Sequence, residues 1–289
     1  MSSFMTGMQQ QTIRANGVRI NTWVGGEGDP VVLLHGYPQT GQMWRKVAPL
    51  LLNRFTVVCP DLRGYGDSDK PRDGYDKRSM AKDIKDTMSA LGFERFALVG
   101  HDRGARVSHR LAMDYPDAVK NLTVLDIVPT HTVFRDAGKD LAAAYWHWFF
   151  FQVPDLPEIM LANSAEPFLR NMFRALCFRQ DAIEEPMFAE YLRAFTLPGT
   201  IRAGLEDYRA AAAVDIADDE RDLGKKLSCP VLAIWGEQGK MHTLFDVLAT
   251  WKEKATDVRG HALPCGHFIP EEAPAELLRD LIPFLVQGR

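Results

Sequence analysis

The stretch Gly100-His101-Asp102-Arg103-Gly104 decides the fold of this 289-residue chain. It has the form G-x-Nu-x-G, a nucleophile elbow, in which the central residue lies on a sharp turn between a strand and a helix. The flanking sequence fits, because the apolar run 96–99 is typical of a short buried strand and residues 107–115 are typical of a helix. The turn is therefore predicted to lift the Asp102 side chain clear of the sheet.

The elbow carries an aspartate where many such enzymes carry a serine. A serine at this point forms acyl enzymes, whereas a carboxylate attacks saturated carbon and forms an alkyl ester. Asp102 therefore predicts displacement at carbon. No G-x-S-x-G occurs in the chain, and Ser108 falls inside the elbow helix, which argues against a serine esterase.

The composition is ordinary for a globular enzyme, with 46% hydrophobic and 25% charged residues and a net charge of -4. That charge gives no reason to expect nucleic acid as a partner. Four cysteines are scattered without a C-x-x-C pair, which predicts free thiols in a reducing compartment. Residues 1–11 lack a secretory signal, and the most apolar run, 141–151, is too short to span a bilayer. We therefore expect a cytoplasmic protein with no membrane partner.

Short apolar runs alternate with helical patterns at both ends of the chain. Asn16-Gly17 predicts a hairpin, and strands are predicted at 31–34, 56–59, 97–100, 122–125 and 231–235. This alternation indicates a mostly parallel sheet with helices on both faces, an α/β fold. We predict a core domain from residues 1–128 and 227–289. The helical insertion 129–226 then forms a cap over the edge of the sheet where ligands bind.

Three loops at strand ends are predicted to meet at Asp102. His35-Gly36-Tyr37-Pro38 follows one strand, and the backbone N–H groups of Tyr37 and Arg103 are candidates for an oxyanion hole. His267 follows the last strand and is the candidate base that activates water on the ester.

The group that orients His267 is either Asp126 or Glu237, since each follows a strand whose end can reach the histidine. Asp126 is preferred because it directly follows its strand, as a residue fixed at a strand tip should. Glu237 lies in a looser, glycine-flanked loop, 236–239.

Arg103 and Arg106 lie three residues apart on one face at the start of the elbow helix. A guanidinium beside a nucleophilic carboxylate keeps it ionised but weakens it as a nucleophile, so two arginines need a further reason. A carboxylate on the substrate supplies one, since arginine grips carboxylates bidentately. The alternative is that both arginines pair with surface acids.

The helical insertion holds an aromatic run, Tyr145-Trp146-His147-Trp148-Phe149, and Tyr208 further along. Indole N–H, imidazole N–H and phenol O–H groups are donors that suit a halide ion. The alternative, a packed cap core, is strong for Trp146, Phe149, Phe150 and Phe151. His147 is costly to bury for packing alone.

Together these residues resemble the fluoroacetate dehalogenases, which are haloacetate dehalogenases of the alpha/beta-hydrolase superfamily. The resemblance covers nearly the whole chain and rests on the elbow, on Trp146-His147-Trp148 and on Gly266-His267. It implies an α/β-hydrolase fold with a helical cap, and hydrolysis of a haloacetate through an aspartyl ester. It also implies a homodimer without cofactor or metal, whose partners are a small haloacid and a halide ion.

The resemblance assigns the candidate residues to three sets. They are the catalytic residues Asp102, His267 and Asp126, the carboxylate clamp Arg103 and Arg106, and the halide pocket His147, Trp148 and Tyr208. Tyr37 stands where phenylalanine is expected, which makes the pocket more polar but leaves the backbone oxyanion donor intact.

Other functions stay open at this point. An epoxide hydrolase uses the same aspartate, histidine and ester, and typically needs two cap tyrosines. Tyr208 is a candidate for one, while the His147-Trp148 region takes the place of the other, although Tyr145 is close. Epoxides also give the arginine pair little to do. A haloalkane dehalogenase usually has tryptophan where this chain has Arg103, and a non-catalytic ligand receptor on this fold has no need of a base.

Overall fold

The computed structural model describes residues 4–287. Within that range eight strands form one sheet, in the order β1-β2-β4-β3-β5-β6-β7-β8. The strands are β1 (Gln9–Ala15), β2 (Val18–Gly25), β3 (Asp29–Leu34), β4 (Phe55–Pro60), β5 (Phe96–His101), β6 (Val119–Leu125), β7 (Val231–Gly236) and β8 (Val258–Leu263). β2 pairs antiparallel with β1 and β4, and every other neighbouring pair is parallel. The mostly parallel sheet predicted from the alternation is confirmed.

The described residues contain fourteen α-helices. They are α1 (Lys77–Ala90), α2 (Arg103–Asp114), α3 (Thr130–Arg135), α4 (Lys139–Ala144), α5 (Trp146–Phe150), α6 (Leu156–Asn163), α7 (Ala165–Leu176), α8 (Glu185–Phe195), α9 (Thr200–Ala210), α10 (Ile216–Arg221), α11 (Lys240–Leu244), α12 (Val247–Lys254), α13 (Ile269–Glu272) and α14 (Pro274–Gln287). Helices α3 to α10 all lie between β6 and β7, and a π-helical turn, Ala211–Asp215, joins α9 to α10. This segment agrees with the predicted helical insertion. That residues 129–226 form a separate cap domain stays a prediction.

The central strands are mostly buried and rich in apolar residues, as expected of strands covered by helices on both faces of the sheet. Val31 lies opposite Ala97 and Leu34 opposite Gly100, so β3 and β5 end side by side. Leu125 of β6 lies opposite His101 of β5. The loops that follow these three strands therefore leave the sheet at one edge, where the candidate site lies.

The structure contains the hairpin and the free cysteines that the sequence predicts. Ala15 pairs with Val18 across the Asn16-Gly17 turn, so the predicted hairpin is present. All four cysteines are free. Among residues 4–287, no helix has both the length and the apolar character needed to cross a membrane.

Candidate active site

The elbow between β5 and α2 holds Asp102 at a φ of 45° and a ψ of -116°, a conformation that residues other than glycine rarely adopt. Two glycines make the turn possible. A Cβ on Gly100 would lie 2.5 Å from Ala105 Cα, and a Cβ on Gly104 would overlap the His35 carbonyl oxygen. The G-x-Nu-x-G pattern therefore reflects close backbone contacts that fix where the Asp102 side chain projects.

The Asp102 carboxylate lies against the loop after β3. The Tyr37 N–H donates to Asp102 Oδ2 at 3.0 Å. This approach is close, since a Cβ on Gly36 would lie 2.5 Å from Asp102 Cβ. Oδ2 thus occupies one predicted oxyanion donor, while Oδ1 accepts no hydrogen bond from residues 4–287. Arg103, whose N–H is the other predicted donor, is the first residue of α2.

His267 and Asp126 form a hydrogen-bonded pair, with His267 Nδ1 2.6 Å from Asp126 Oδ2. Asp126 directly follows β6 and is fully buried, and its Oδ1 accepts the Gly236 N–H at 2.9 Å. Glu237, the alternative orienting group, is exposed to solvent. The structure places Asp126, rather than Glu237, against the histidine.

The charges around this pair shift two pKa values in opposite directions. Burial opposes charge on His267, but the hydrogen bond and the charge of Asp126 outweigh burial and raise the pKa of His267. Burial likewise opposes charge on Asp102, but His267 and Arg103 outweigh it and lower the pKa of Asp102. The carboxylate is therefore ionised at neutral pH, while the histidine becomes neutral only above its ordinary value of about 6.5.

The loop that carries His267 is held by the buried carboxylate of Glu272, which the sequence analysis missed. This carboxylate accepts four backbone N–H groups at 2.8 to 3.0 Å, those of Gly266, Phe268, Phe178 and Arg179. The last two donors follow α7, and the His267 N–H itself donates to the Leu176 carbonyl at 3.0 Å. A single side chain thus binds the histidine loop to the helical insertion.

A small, narrow cavity borders Asp102. Its wall includes most of the predicted site residues, namely Tyr37, Asp102, Arg106, Asp126, His147, Trp148, Tyr208 and His267, and it is completed by Tyr145, Met172, Leu176 and Met241. A larger surface cavity between α7 and α8 contains none of these residues.

Arg106 is the cation in this wall, and its guanidinium is only partly engaged by described protein groups. Its Nη1 donates to the Val128 carbonyl and to Thr130 Oγ1, both at 3.0 Å. Its Nε and Nη2 are buried and have no hydrogen-bond partner among residues 4–287. These two groups form the side of a guanidinium that binds a carboxylate bidentately. Burial and the nearby Arg103 lower the pKa of Arg106 to about 10, so it is still a cation at neutral pH.

Arg103 is engaged differently, although the sequence predicts the same role for both arginines. Its Nε and Nη2 donate to Asp207 Oδ1 at 3.1 and 2.5 Å, and both side chains are fully buried. In the described part of the chain only its Nη1 lacks a partner. Arg103 therefore has a single N–H nitrogen left for a ligand, whereas Arg106 has two. Its part in a carboxylate clamp stays a prediction.

Asp207 is the centre of a buried charge cluster that sequence reasoning missed. Lys77 of α1 also binds Asp207, and the Tyr65 hydroxyl donates to it at 2.6 Å. Asp215 lies 3.3 Å from Lys77 Nζ and accepts the Lys77 backbone N–H at 2.8 Å. Burial opposes charge on Asp207, but the two cations outweigh it and lower the pKa of Asp207. The positive charge of Arg103 is thus already neutralised by the protein.

The predicted halide donors lie together in the insertion. The Tyr208 ring centroid is 5.7 Å from those of both His147 and Trp148. Within residues 4–287 none of the three side chains makes a hydrogen bond to the protein. Burial lowers the pKa of His147 to about 3 and raises the pKa of Tyr208 well above its ordinary value, so both are neutral. Each can therefore offer one N–H or O–H to an anion.

The expectation of a packed core is wrong for two residues of the same aromatic run. Trp146 is 44% exposed and Phe149 is 38% exposed, whereas Phe151 is fully buried. Trp146 and Phe149 lie three residues apart on one face of α5, and that face is turned to solvent, whereas His147 and Trp148 are buried.

The chain is similar to several known proteins. A family model described as the alpha/beta hydrolase fold matches residues 29–274. A fluoroacetate dehalogenase from Burkholderia sp is 41% identical over 98% of this chain and 95% of its own length. A soluble epoxide hydrolase from Corynebacterium sp. (strain C12) is 38% identical over 95% of this chain and 96% of its own. A solved structure from Nostoc sp PCC 7120, provisionally described as an alpha/beta hydrolase, is 50% identical with a TM-score of 0.96 over 98% and 99% of the two chains.

Proposed function

Because this chain belongs to the alpha/beta hydrolase family, we propose that it hydrolyses haloacetates, converting fluoroacetate and water into glycolate, fluoride and a proton. The family and both curated relatives support hydrolase activity. The observation that carries the choice of substrate is the pair of buried Arg106 donors, Nε and Nη2, in the cavity wall beside Asp102, which have no protein partner among residues 4–287. A buried guanidinium with two unpaired donors next to a nucleophile calls for a small substrate that carries a carboxylate.

In the first step Arg106 Nε and Nη2 bind the substrate carboxylate, and Arg103 Nη1 supplies a further donor. Asp102 Oδ1 attacks the α-carbon from the side opposite the halogen, and the carbon–halogen bond breaks with its electron pair on the halide. His147, Trp148 and Tyr208 then replace the water shell that fluoride needs. Loss of one such donor costs about 10²–10³ in rate, by analogy with an oxyanion-hole donor.

In the second step water hydrolyses the Asp102 ester. The Tyr37 N–H, which already binds Oδ2, polarises the ester carbonyl and stabilises the oxyanion of the tetrahedral intermediate. Neutral His267 takes a proton from the attacking water, and Asp126 stabilises the imidazolium that forms. His267 returns this proton to the departing glycolate oxygen, and Asp102 is regenerated with release of a proton.

Two other functions fit the residues less well. A non-catalytic receptor gives no reason for a histidine held at 2.6 Å by a buried carboxylate next to a strained aspartate. A hydrolase of neutral epoxides leaves these two Arg106 donors buried and unpaired during the reaction, which is costly. The expected cofactor-free homodimer and cytoplasmic location stay predictions.

The test is fluoride release from fluoroacetate by the purified protein, followed with a fluoride electrode, with Asp102→Asn as the control. We expect steady release by the natural protein and a loss of at least about 10⁴-fold in the variant, since no carboxylate is left to attack. Circular dichroism of both proteins checks that they are folded. No release by the folded natural protein, or undiminished release by the variant, would contradict the proposal.

A further inference from the structure

The cavity wall contains more proton donors than the release of fluoride requires. Tyr208 makes no side-chain hydrogen bond within residues 4–287, and Tyr145 Oη is buried without a partner there. Burial raises the pKa of each phenol well above its ordinary value, so both hold their protons at neutral pH. A halide leaves as an anion and needs only donors. An oxygen leaving group must also gain a proton, and a phenol hydroxyl can donate one.

We propose that the site also hydrolyses oxirane-2-carboxylates, small epoxides with a carboxylate on the ring, with Tyr208 as the acid for the ring oxygen. The proposal rests on the proposed function, because it uses the same Asp102 nucleophile and Arg106 donors. The ring carbon next to the carboxylate bears an oxygen leaving group, as the α-carbon of fluoroacetate bears fluorine. One pose therefore serves both substrates, with the leaving atom among His147, Trp148 and Tyr208.

The carboxylate is required by the same physical argument as before. Arg106 is buried, and a neutral epoxide such as methyloxirane leaves its Nε and Nη2 unpaired when it displaces water. A ring with one carboxylate has only one heavy atom more than fluoroacetate, so the two substrates make similar demands on this small cavity.

The reaction balances with water as the only co-reactant. Asp102 Oδ1 forms a bond to the ring carbon, the carbon–oxygen bond breaks, and the freed oxygen takes the Tyr208 proton. His267 takes a proton from water, which adds to the ester carbonyl, and returns it to the oxygen that leaves Asp102. The proton that ionises from Asp102 restores Tyr208, because the pKa of Asp102 is low. The product is 2,3-dihydroxypropanoate.

The experiment measures diol formation from oxirane-2-carboxylate by chromatography, in parallel with fluoride release from fluoroacetate. We expect kcat/KM for the carboxylated epoxide to exceed that for methyloxirane by at least about 100-fold, and Asp102→Asn to abolish diol formation. Fluoride release without diol formation overturns this inference and leaves the proposed function intact. Diol formation without fluoride release supports the inference and overturns haloacetate hydrolysis. Equal conversion of methyloxirane overturns the role assigned to the carboxylate.

Two variants separate the acid from a simple donor. Tyr208→Phe removes a donor from both reactions but removes the acid only from the epoxide reaction, so diol formation falls at least tenfold more than fluoride release. Trp148→Phe removes a donor that is not an acid, so both reactions fall in similar proportion. An unchanged ratio of the two activities in Tyr208→Phe overturns the assignment of the acid.

Discussion

The nucleophile and the base of the candidate site are held in different ways. Asp102 is placed by backbone geometry, a turn at positive φ that Gly100 and Gly104 permit. His267 lies on a loop whose N–H groups are held by Glu272 together with those of the segment after α7. The placement of the nucleophile therefore depends on the core of the fold, whereas the placement of the base also depends on contacts with the insertion.

His267→Asn is expected to give the largest effect that separates ester hydrolysis from the first step. We expect steady-state fluoride release to fall by about 10³-fold or more, because the base is lost, while a burst of one fluoride per site remains. Rapid-quench measurement of fluoride, with mass spectrometry of the trapped ester on Asp102, checks this result. A variant with neither burst nor ester would show that the two steps are not separable in this way.

The link between the elbow and the insertion is tested by Asp207→Asn. This change removes the counter-charge of Arg103 and Lys77, both buried, and we expect the free energy of unfolding to fall by about 3–5 kcal/mol. Urea denaturation measures the difference. The matched control is Asp69→Asn, whose partner Arg19 is exposed, and there we expect a loss of less than about 1 kcal/mol. Equal losses in the two variants would mean that burial of the cluster contributes nothing.

The hold on the histidine loop is tested by Glu272→Gln. An amide offers one acceptor oxygen and an NH₂ group that faces backbone donors, so the loop loses its fixed position. We expect turnover to fall by roughly 10–100-fold, within the range for displaced catalytic groups, with the fluoride burst and KM retained. Glu276→Gln is the control, because the partly exposed Glu276 carboxylate pairs with the Arg179 side chain and accepts none of the four N–H groups that Glu272 binds. Loss of the fluoride burst in Glu272→Gln would mean instead that the substitution disturbs Asp102 and the first step.

The smallest effect is the difference in pH dependence between the two steps. The raised pKa of His267 means that its neutral form is lost as the pH falls, from above the ordinary value of about 6.5. The lowered pKa of Asp102 keeps the nucleophile ionised over the same range. Turnover should therefore fall on acidification while the burst amplitude stays near one fluoride per site. Stopped-flow measurements across this range would contradict the comparison if both quantities fell together.

Local patterns predicted the fold and much of the site. The elbow, the strand ends and the preference for Asp126 over Glu237 follow from motifs and from the position of each residue at a strand tip. The partner of Arg103 could not be predicted from such patterns. Asp207 is 104 residues away in the chain, and a single buried carboxylate on an amphipathic helix gives no periodic signal. Glu272 was missed for a similar reason, since it binds backbone N–H groups that no sequence pattern marks.

The π-helical turn between α9 and α10 has a consequence for the direction of two carboxylates. Successive residues of a regular α-helix turn by about 100°, so Asp207 and Asp215 in one unbroken helix would point about 80° apart. The turn Ala211–Asp215 takes up roughly one extra residue, which brings the two directions to within about 20°. Both carboxylates then reach Lys77. The charge balance beneath the elbow therefore depends on the winding of this helix as well as on the residues that it carries.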